Sequence, residues 1–98
     1  MPEKCRFLIT FDINSDSIPK FENVLTSVQA DLPKVEGCLN VDIFRHEDPV
    51  ANRFTLLETW ASKSLHQAHV ARMQDSGQWA SIEEMLAEPP AGHYLLAF

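Results

Sequence analysis

The sequence predicts an α+β fold of the ferredoxin-like type, in which the order β-α-β-β-α-β builds an antiparallel four-stranded sheet. Short segments with alternating apolar residues are separated by longer segments whose apolar residues recur at helical spacing. A short loop joins the second and third strand segments, which is typical of an antiparallel hairpin. The length of 98 residues leaves room for one domain, residues 1–98.

The first strand and helix are predicted from the first third of the chain. Phe7, Ile9 and Phe11 alternate along the strand and share one face. Polar residues at positions 14–17 supply a turn and a helix cap. The apolar stripe of the helix consists of Ile18, Phe21, Leu25, Val28 and Leu32. Pro33 then ends the helix.

A hairpin of two strands follows. The alternating apolar residues of its first strand are Leu39, Val41 and Ile43. Asn40 and Asp42 alternate with them and are expected on the opposite face. The other strand covers residues 54–60 and ends at Trp60, after a loop at residues 47–52.

The last third predicts two helices and a strand. Ser62 is a good N-cap for a helix that reaches about Met73. The inner stripe of this helix is Leu65, His69 and Met73. A mobile loop at the rim of a pocket is expected at residues 74–78, before a short helix. The residues that mark this short helix are Trp79, Ile82 and Leu86. Residues 93–98 are predicted to form the last strand.

Composition limits the possible partners. The net charge is −6 and no run of Lys or Arg occurs, so neither nucleic acid nor an anionic membrane is expected to bind. No segment approaches the roughly 20 apolar residues that span a bilayer, and no secretory core is present. Cys5 and Cys38 are expected to be buried free thiols, because two cysteines this far apart make neither a disulfide framework nor a zinc motif. We therefore expect a cytoplasmic protein.

The strands are apolar on both faces, which predicts self-association. Leu8, Leu57 and Leu95 alternate with the residues of the helix-facing side. A sheet face this apolar is an aggregation hazard when it is left in water. We therefore predict a homodimer packed sheet to sheet.

Several short motifs resemble those of one known family. They are Glu36-Gly37-Cys38-Leu39, Asp48-Pro49, Glu58-Thr59-Trp60, and Leu65 with His69. With these motifs in this order, the chain resembles the antibiotic biosynthesis monooxygenase family over nearly its whole length. The resemblance implies a dimeric α/β barrel. It also implies one of several activities, which include cofactor-free oxygenation of quinols and aromatic polyketides, haem degradation, and processing of a phosphorylated signalling molecule.

The chain departs from two branches of that family. Haem-degrading members carry an Asn on the first strand, a Trp on the helix after the Glu-x-Trp strand, and a haem-ligating His further on. This chain has Phe11, His69 and Trp79 in those places, which argues against haem degradation. Polyketide-oxidising members have an Asn four residues before the Trp, where this chain has Leu56. Their proton-relay residues are therefore not reproduced.

His69 is the candidate catalytic residue. It can act as a general base toward a phenolic or enolic proton, or donate to the resulting anion, because an unperturbed histidine has a pKa near 6.5. The alternative interpretation is a core histidine bonded to a backbone carbonyl. The predicted pocket residues are Trp60, Glu58, Asn40, Met73 and Trp79.

Two further side chains are expected to have structural roles. Glu58 is expected to be buried in an ion pair with Arg45 or Arg53, because an isolated buried carboxylate is costly. His66 lies three residues before His69, but no third ligand at suitable spacing follows. We therefore expect His66 to be exposed, and we expect no metal site.

These residues support two main hypotheses. The first is a cofactor-independent monooxygenase that uses O₂ to oxidise a small electron-rich aromatic, such as a quinol or a phenolic polyketide. No cofactor is expected, because such a substrate donates an electron to O₂ once it is deprotonated. The alternative is a non-redox isomerase, or a binding protein for a small polar metabolite, that uses the same pocket. A dimeric module without ligand or activity is a third interpretation.

Overall fold

The computed structural model describes residues 4–47 and 52–98. Its strands are β1 (Cys5–Asp12), β2 (Cys38–Arg45), β3 (Arg53–Trp60) and β4 (Ala91–Leu95). Its helices are α1 (Ile18–Asp31), α2 (Lys63–Ser76) and α3 (Gln78–Glu83), and 3₁₀ turns at Ser15–Ser17 and Leu32–Lys34 flank α1. The predicted element order is therefore confirmed. No helix in the described part of the chain is long and apolar enough to cross a membrane.

The sheet has the strand order β2-β3-β1-β4, and every neighbouring pair is antiparallel. This is the ferredoxin-like arrangement, so the predicted fold class is confirmed. In the register, Phe7 lies opposite Glu58 on one side and opposite Tyr94 on the other. The central strands therefore bring Glu58 and Tyr94 to the same face, on either side of Phe7.

An irregularity in β2 changes the predicted face of one residue. The pairing with β3 shifts between Cys38 and Asn40, so that Leu39 has no place in the ladder. A bulge adds one residue on one strand and turns the residues before it to the other face. As a result Cys38 is the buried residue that shares a face with Val41 and Ile43, whereas Leu39 is 51% exposed.

The helices cover one face of the sheet and bury two clusters of side chains. The members of the larger cluster are Ile9, Phe11, Ile13, Phe21, Leu25, Phe54, Leu56, Ile82 and Met85. The smaller cluster consists of Cys5, Leu32, Cys38 and Trp60. Both cysteines are free, as predicted, and burial raises the pKa of each thiol. Fully buried Trp60 therefore packs at one end of the sheet with two uncharged thiols beside it.

The second helix begins where the sequence predicts and ends later. Ser62 caps it, because its side-chain oxygen accepts a hydrogen bond from the backbone N–H of Leu65 at 3.3 Å. The helix continues to Ser76, and Gly77 ends it in the left-handed conformation, with φ of 83°. The loop predicted at residues 74–78 is therefore wrong: these residues are the last turn of α2, the glycine, and the start of α3.

Two glycines with positive φ provide a matched test of packing. Gly37 has φ of 89°, and a Cβ added there would lie 2.7 Å from the Cβ and Cδ1 of Leu65. Gly77 has φ of 83°, and a Cβ there would meet no atom within 4 Å. We expect Gly77→Ala to cost about 1–2 kcal/mol, which is the left-handed penalty of a side chain.

Gly37→Ala should cost clearly more, because Leu65 must also move. Urea unfolding of both variants measures the two costs. Equal losses of unfolding free energy in the two variants would show that the close approach of Leu65 to Gly37 does not restrict a side chain at position 37.

Candidate functional site

A cavity of about 610 Å³ lies between the sheet and the helices. It is within the size range of small-molecule sites, about 300–1,000 Å³. Apolar side chains from β1, β3, α1, α2 and α3 make most of its wall. Among the described lining residues there is no Lys or Arg, and the polar groups closest to the sheet are Glu58, His66 and His69. The cavity therefore favours an uncharged, largely apolar ligand.

Glu58 projects from the centre of β3 into this cavity and is only 7% exposed. Its Oε1 accepts a hydrogen bond of 2.9 Å from the indole Nε1–H of Trp60, two residues further along the same strand face. Burial raises the pKa of the Glu58 carboxyl, and the Trp60 hydrogen bond acts in the opposite direction. Glu58 is thus a carboxyl group whose proton affinity is increased by its apolar surroundings.

The predicted ion pair of Glu58 is wrong. Arg45 contacts Glu22 at 2.6 Å, and Arg53 contacts Asp12 at 2.6 Å. Arg53 projects from the opposite face of the sheet. It is the first residue of β3 and is separated from Glu58 by about 16 Å of extended chain. Arg45 pairs in the ladder with Phe54, which is four residues, or about 13 Å of extended chain, from Glu58. The sequence shows which charges exist, but the register determines which of them meet.

His66 is buried, against the expectation of exposure, with only 3% of its surface accessible. Its Nδ1 lies 2.7 Å from the hydroxyl oxygen of Tyr94, and its Nε2 lies 3.9 Å from Oε1 of Glu58. The ring also packs on Phe7, with 4.4 Å between centroids. Burial, and secondly the charge of His69, lower the pKa of His66 to about 4. His66 is therefore a neutral imidazole near pH 7.

One sequence signal for His66 was available. Residues three apart lie on neighbouring parts of a helix surface, so an inward His69 implies that His66 also lies near the sheet. The sequence could not show that the hydroxyl of Tyr94 hydrogen-bonds to Nδ1 of the buried His66 ring, because the two residues are 28 positions apart in sequence.

His69 lies on the cavity wall, as its inward stripe predicts, and is half-buried. Its ring centroid is 5.1 Å from that of Trp60. No described residue hydrogen-bonds to the His69 ring, so no backbone carbonyl of the described chain holds it. Burial lowers the pKa of His69, and the charge of Arg72 adds to this effect. His69 thus presents a neutral ring to the cavity, although its catalytic role stays a prediction.

The structure separates the remaining predicted pocket residues. Met73 and Trp79 line the cavity. Trp60 has no accessible surface and lies behind Glu58 and the two histidines, so it supports the wall without lining it. Asn40 is outside the cavity. It pairs with Thr59 on the sheet face away from the helices, and its side chain donates to Asp42 at 3.0 Å.

The site is suited to moving protons. It combines a carboxyl group of raised pKa with two imidazoles of lowered pKa, and such divergent environments create distinct acid and base groups. Within residues 4–47 and 52–98, no group of three or more His, Cys, Asp and Glu side chains could hold a metal ion.

The buried state of His66 predicts how stability depends on pH. The pKa is about 4 in the folded protein and about 6.5 when unfolded, so between these values the unfolded chain binds more protons. Stability should therefore fall as the pH drops from about 6.5 toward 4. Relative to the variant His66→Leu, the wild type should lose about 2 kcal/mol between pH 7 and pH 5.

Glu58 and His69 remain in both proteins, so the difference between the two proteins reports mainly the titration of His66. Urea unfolding at each pH measures the difference. An identical loss in wild type and variant would show that His66 protonates normally in the folded protein.

Comparisons with solved structures show how widely this fold is shared. A protein from Mycobacterium tuberculosis is 18% identical, with a TM-score of 0.84 over 98% of this chain and 96% of its own. A conserved protein from Methanosarcina mazei Go1 is 16% identical, with a TM-score of 0.81 over 94% and 90%. SnoaB, a cofactor-independent oxygenase from Streptomyces nogalater, is 14% identical, with a TM-score of 0.81 over 98% and 94%.

At these identities the solved structures establish the fold alone. No curated protein matches the chain significantly. The model of the family described as antibiotic biosynthesis monooxygenase, however, matches residues 6–87. This match includes the strand that carries Glu58 and Trp60 and the helix that carries both cavity histidines. The chain therefore belongs to the antibiotic biosynthesis monooxygenase family.

Proposed function

We propose that the protein is a cofactor-independent monooxygenase that uses O₂ to oxidise a small electron-rich aromatic, such as a quinol or a phenolic polyketide. The observation that carries this proposal is an apolar cavity into which His69 presents a neutral ring with no hydrogen bond to any described residue. A base of this kind is free to accept a hydroxyl proton. Membership of the family and the structural similarity to SnoaB support the same reaction class.

In the proposed reaction, His69 accepts the proton of a substrate hydroxyl, and the anion gives one electron to O₂. The resulting radical and superoxide combine by forming a carbon–oxygen bond, and the peroxide takes the proton back from His69. The hydroperoxide then loses water, which breaks the O–O bond and leaves a carbonyl on the carbon that carried the hydrogen. One oxygen atom enters the product and the other enters water, and the substrate supplies all the electrons.

The wall of the cavity is suited to this chemistry. Met73 and Trp79 offer polarisable apolar surface to an aromatic ring, and Phe7 and Phe11 line the sheet side. An anionic intermediate in such a site is stabilised only by the few polar groups nearby. Protonated His69, once it holds the substrate proton, would be the cation beside that anion.

The alternative is a non-redox isomerase, or a binding protein for a small polar metabolite. One observation favours it: Glu58 and His69 both face the cavity, and two proton-transfer groups can move a proton between carbons next to a carbonyl. A strongly anionic metabolite does not suit this cavity, because its described lining contains no Lys or Arg. Oxygen consumption separates the two reactions.

We also propose that the protein forms a homodimer through the sheet face away from the helices. Leu8 and Leu57 lie opposite each other on that face. Phe44 and Leu95 lie on the same face and are 53% and 40% exposed. Exposed apolar side chains gathered on one sheet face mark an interaction surface, and the family resemblance implies the same dimer.

Removal of the base tests the oxygenase. The variant His69→Ala should lower the rate of O₂ uptake with hydroquinones or polyhydroxylated aromatics by about 100-fold or more, as expected for loss of a general base. A Clark electrode measures uptake against the autoxidation background. Gln67→Ala is the matched control, because Gln67 is an exposed residue on the same helix.

Equal uptake by His69→Ala and wild type would remove His69 from the mechanism. Uptake no greater than autoxidation with every compound would favour the isomerase or binding function.

A charge placed on the open sheet face tests the dimer. We expect the wild type to sediment as a dimer and Leu57→Glu as a monomer, because a carboxylate opposite Leu8 would be buried without a partner. Sedimentation velocity gives the mass, and circular dichroism verifies that the variant is folded. A monomeric wild type would contradict the proposed dimer.

A further inference from the structure

Three side chains from three different elements meet at the sheet side of the cavity. They are Glu58 on β3, His66 on α2 and Tyr94 on β4. Phe7 holds the two rings in place, with centroids 4.4 Å from His66 and 5.1 Å from Tyr94. Gly92 leaves room for the Phe7 ring, since a Cβ at position 92 would lie 2.7 Å from Cζ of Phe7. The arrangement is therefore closely packed.

The hydrogen bond between Tyr94 and His66 determines which imidazole nitrogen carries the proton. If the hydroxyl donates to Nδ1, the ring proton lies on Nε2, which is the nitrogen 3.9 Å from Glu58. In the opposite tautomer, the Nε2 lone pair would face the carboxylate, and the two would repel each other. Tyr94 keeps its proton near neutrality, because burial raises the pKa of its hydroxyl. The favoured state therefore has Tyr94 as donor and an Nε2–H group directed toward Glu58.

The separation between Nε2 and Oε1 leaves both groups available to a ligand. At 3.9 Å the two atoms are too far apart to hydrogen-bond to each other. An oxygen atom in the cavity can nevertheless lie about 2.8 Å from both. A hydroxyl at that position would accept from Nε2–H of His66 and donate to the Glu58 carboxylate. A methyl ether could accept from His66 but could not donate to Glu58.

We propose that Glu58 and His66 recognise one neutral hydroxyl group of an aromatic ligand, and that Tyr94 is a positioning residue that orients His66 for this contact. The aromatic nature of the ligand rests on the proposed function. The hydroxyl recognition does not require oxygenation, because an isomerase or a binding protein would use the same pair. This hydroxyl group is what would distinguish a ligand from other apolar molecules of similar size.

The charges around Glu58 support a neutral hydroxyl over an acid. The titratable groups that face it are Cys5 on β1, Cys38 on β2, His66 and His69 on α2, and Tyr94 on β4, with Asp31 of α1 also on the cavity wall. Near neutrality none of these groups is a cation, because the pKa values of both histidines are lowered. A ligand carboxylate or phosphate would therefore meet Glu58 without a counter-charge.

The direct test is binding without oxygen. The probes are 1-naphthol and its methyl ether, 1-methoxynaphthalene, titrated anaerobically at pH 8 and followed by protein fluorescence. The wild type should bind 1-naphthol about 10- to 100-fold more tightly than the ether, which is the expected effect of one hydrogen bond to a charged group. Two variants change the pair: Glu58→Gln and Tyr94→Phe.

Glu58→Gln should reduce the ratio of the two affinities while the affinity for the ether stays within about twofold. In Glu58→Gln the amide oxygen at the Oε1 position still accepts from Trp60 and can accept from the ligand, but it is a neutral acceptor, so the ratio should fall severalfold. In Tyr94→Phe the tautomer of His66 is no longer held, so both probes lose part of the Nε2–H donor and both affinities should fall severalfold. A circular-dichroism spectrum like that of the wild type shows that neither variant has lost its fold.

A second measurement requires no ligand. Nitrogen-15 NMR of the imidazoles should show His66 as the Nε2–H tautomer in the wild type and as a mixture of tautomers in Tyr94→Phe. An Nδ1–H tautomer in the wild type would overturn the inference, as would equal affinity for the two probes or no binding of either at 1 mM. Unchanged affinities for both probes in Tyr94→Phe would overturn the role of Tyr94. Hydroxyl discrimination without O₂ uptake would leave this inference standing and reject the oxygenase.

Discussion

The buried carboxyl group of Glu58 is the constraint on which the rest of the site depends. A carboxyl removed from water needs hydrogen-bond partners or a proton. The indole N–H of Trp60 donates to it, and burial raises its pKa. Trp60 can reach it because residues two apart on a strand share a face. Trp60 therefore has two roles at the end of β3: its ring fills the smaller apolar cluster, and its indole N–H provides the hydrogen bond that buried Glu58 needs.

The same constraint explains why uncharged histidines surround a carboxyl group. A protonated His66 would be the obvious partner for Glu58, yet burial keeps its ring neutral. Tyr94 satisfies one nitrogen and leaves the other directed toward the cavity. The site is thus polar without carrying a full positive charge in its resting state. O₂ is itself apolar, so a cavity of this character can admit it together with an aromatic ring.

Much of the fold could be predicted from the sequence, because strand alternation, helical stripes and the Ser62 cap are local signals. The errors arose where distant residues decide the outcome. The bulge before Asn40 moved Leu39 out of the ladder. Register gave Arg45 and Arg53 partners other than Glu58. The inward position of His69 was predictable from its own helix. The burial of His66 needed a hydroxyl from β4, which no local pattern reveals.

The group that orients His66 comes from a vulnerable part of the sheet. β4 is a short edge strand that pairs with β1 alone among the described strands, and all of its residues are exposed. Edge elements with few buried contacts open more readily than the strands at the centre of a sheet. Each opening of β4 would withdraw the Tyr94 hydroxyl and free the imidazole to exchange its proton between nitrogens. The tautomer that His66 presents to the cavity therefore depends on how often the edge strand β4 opens.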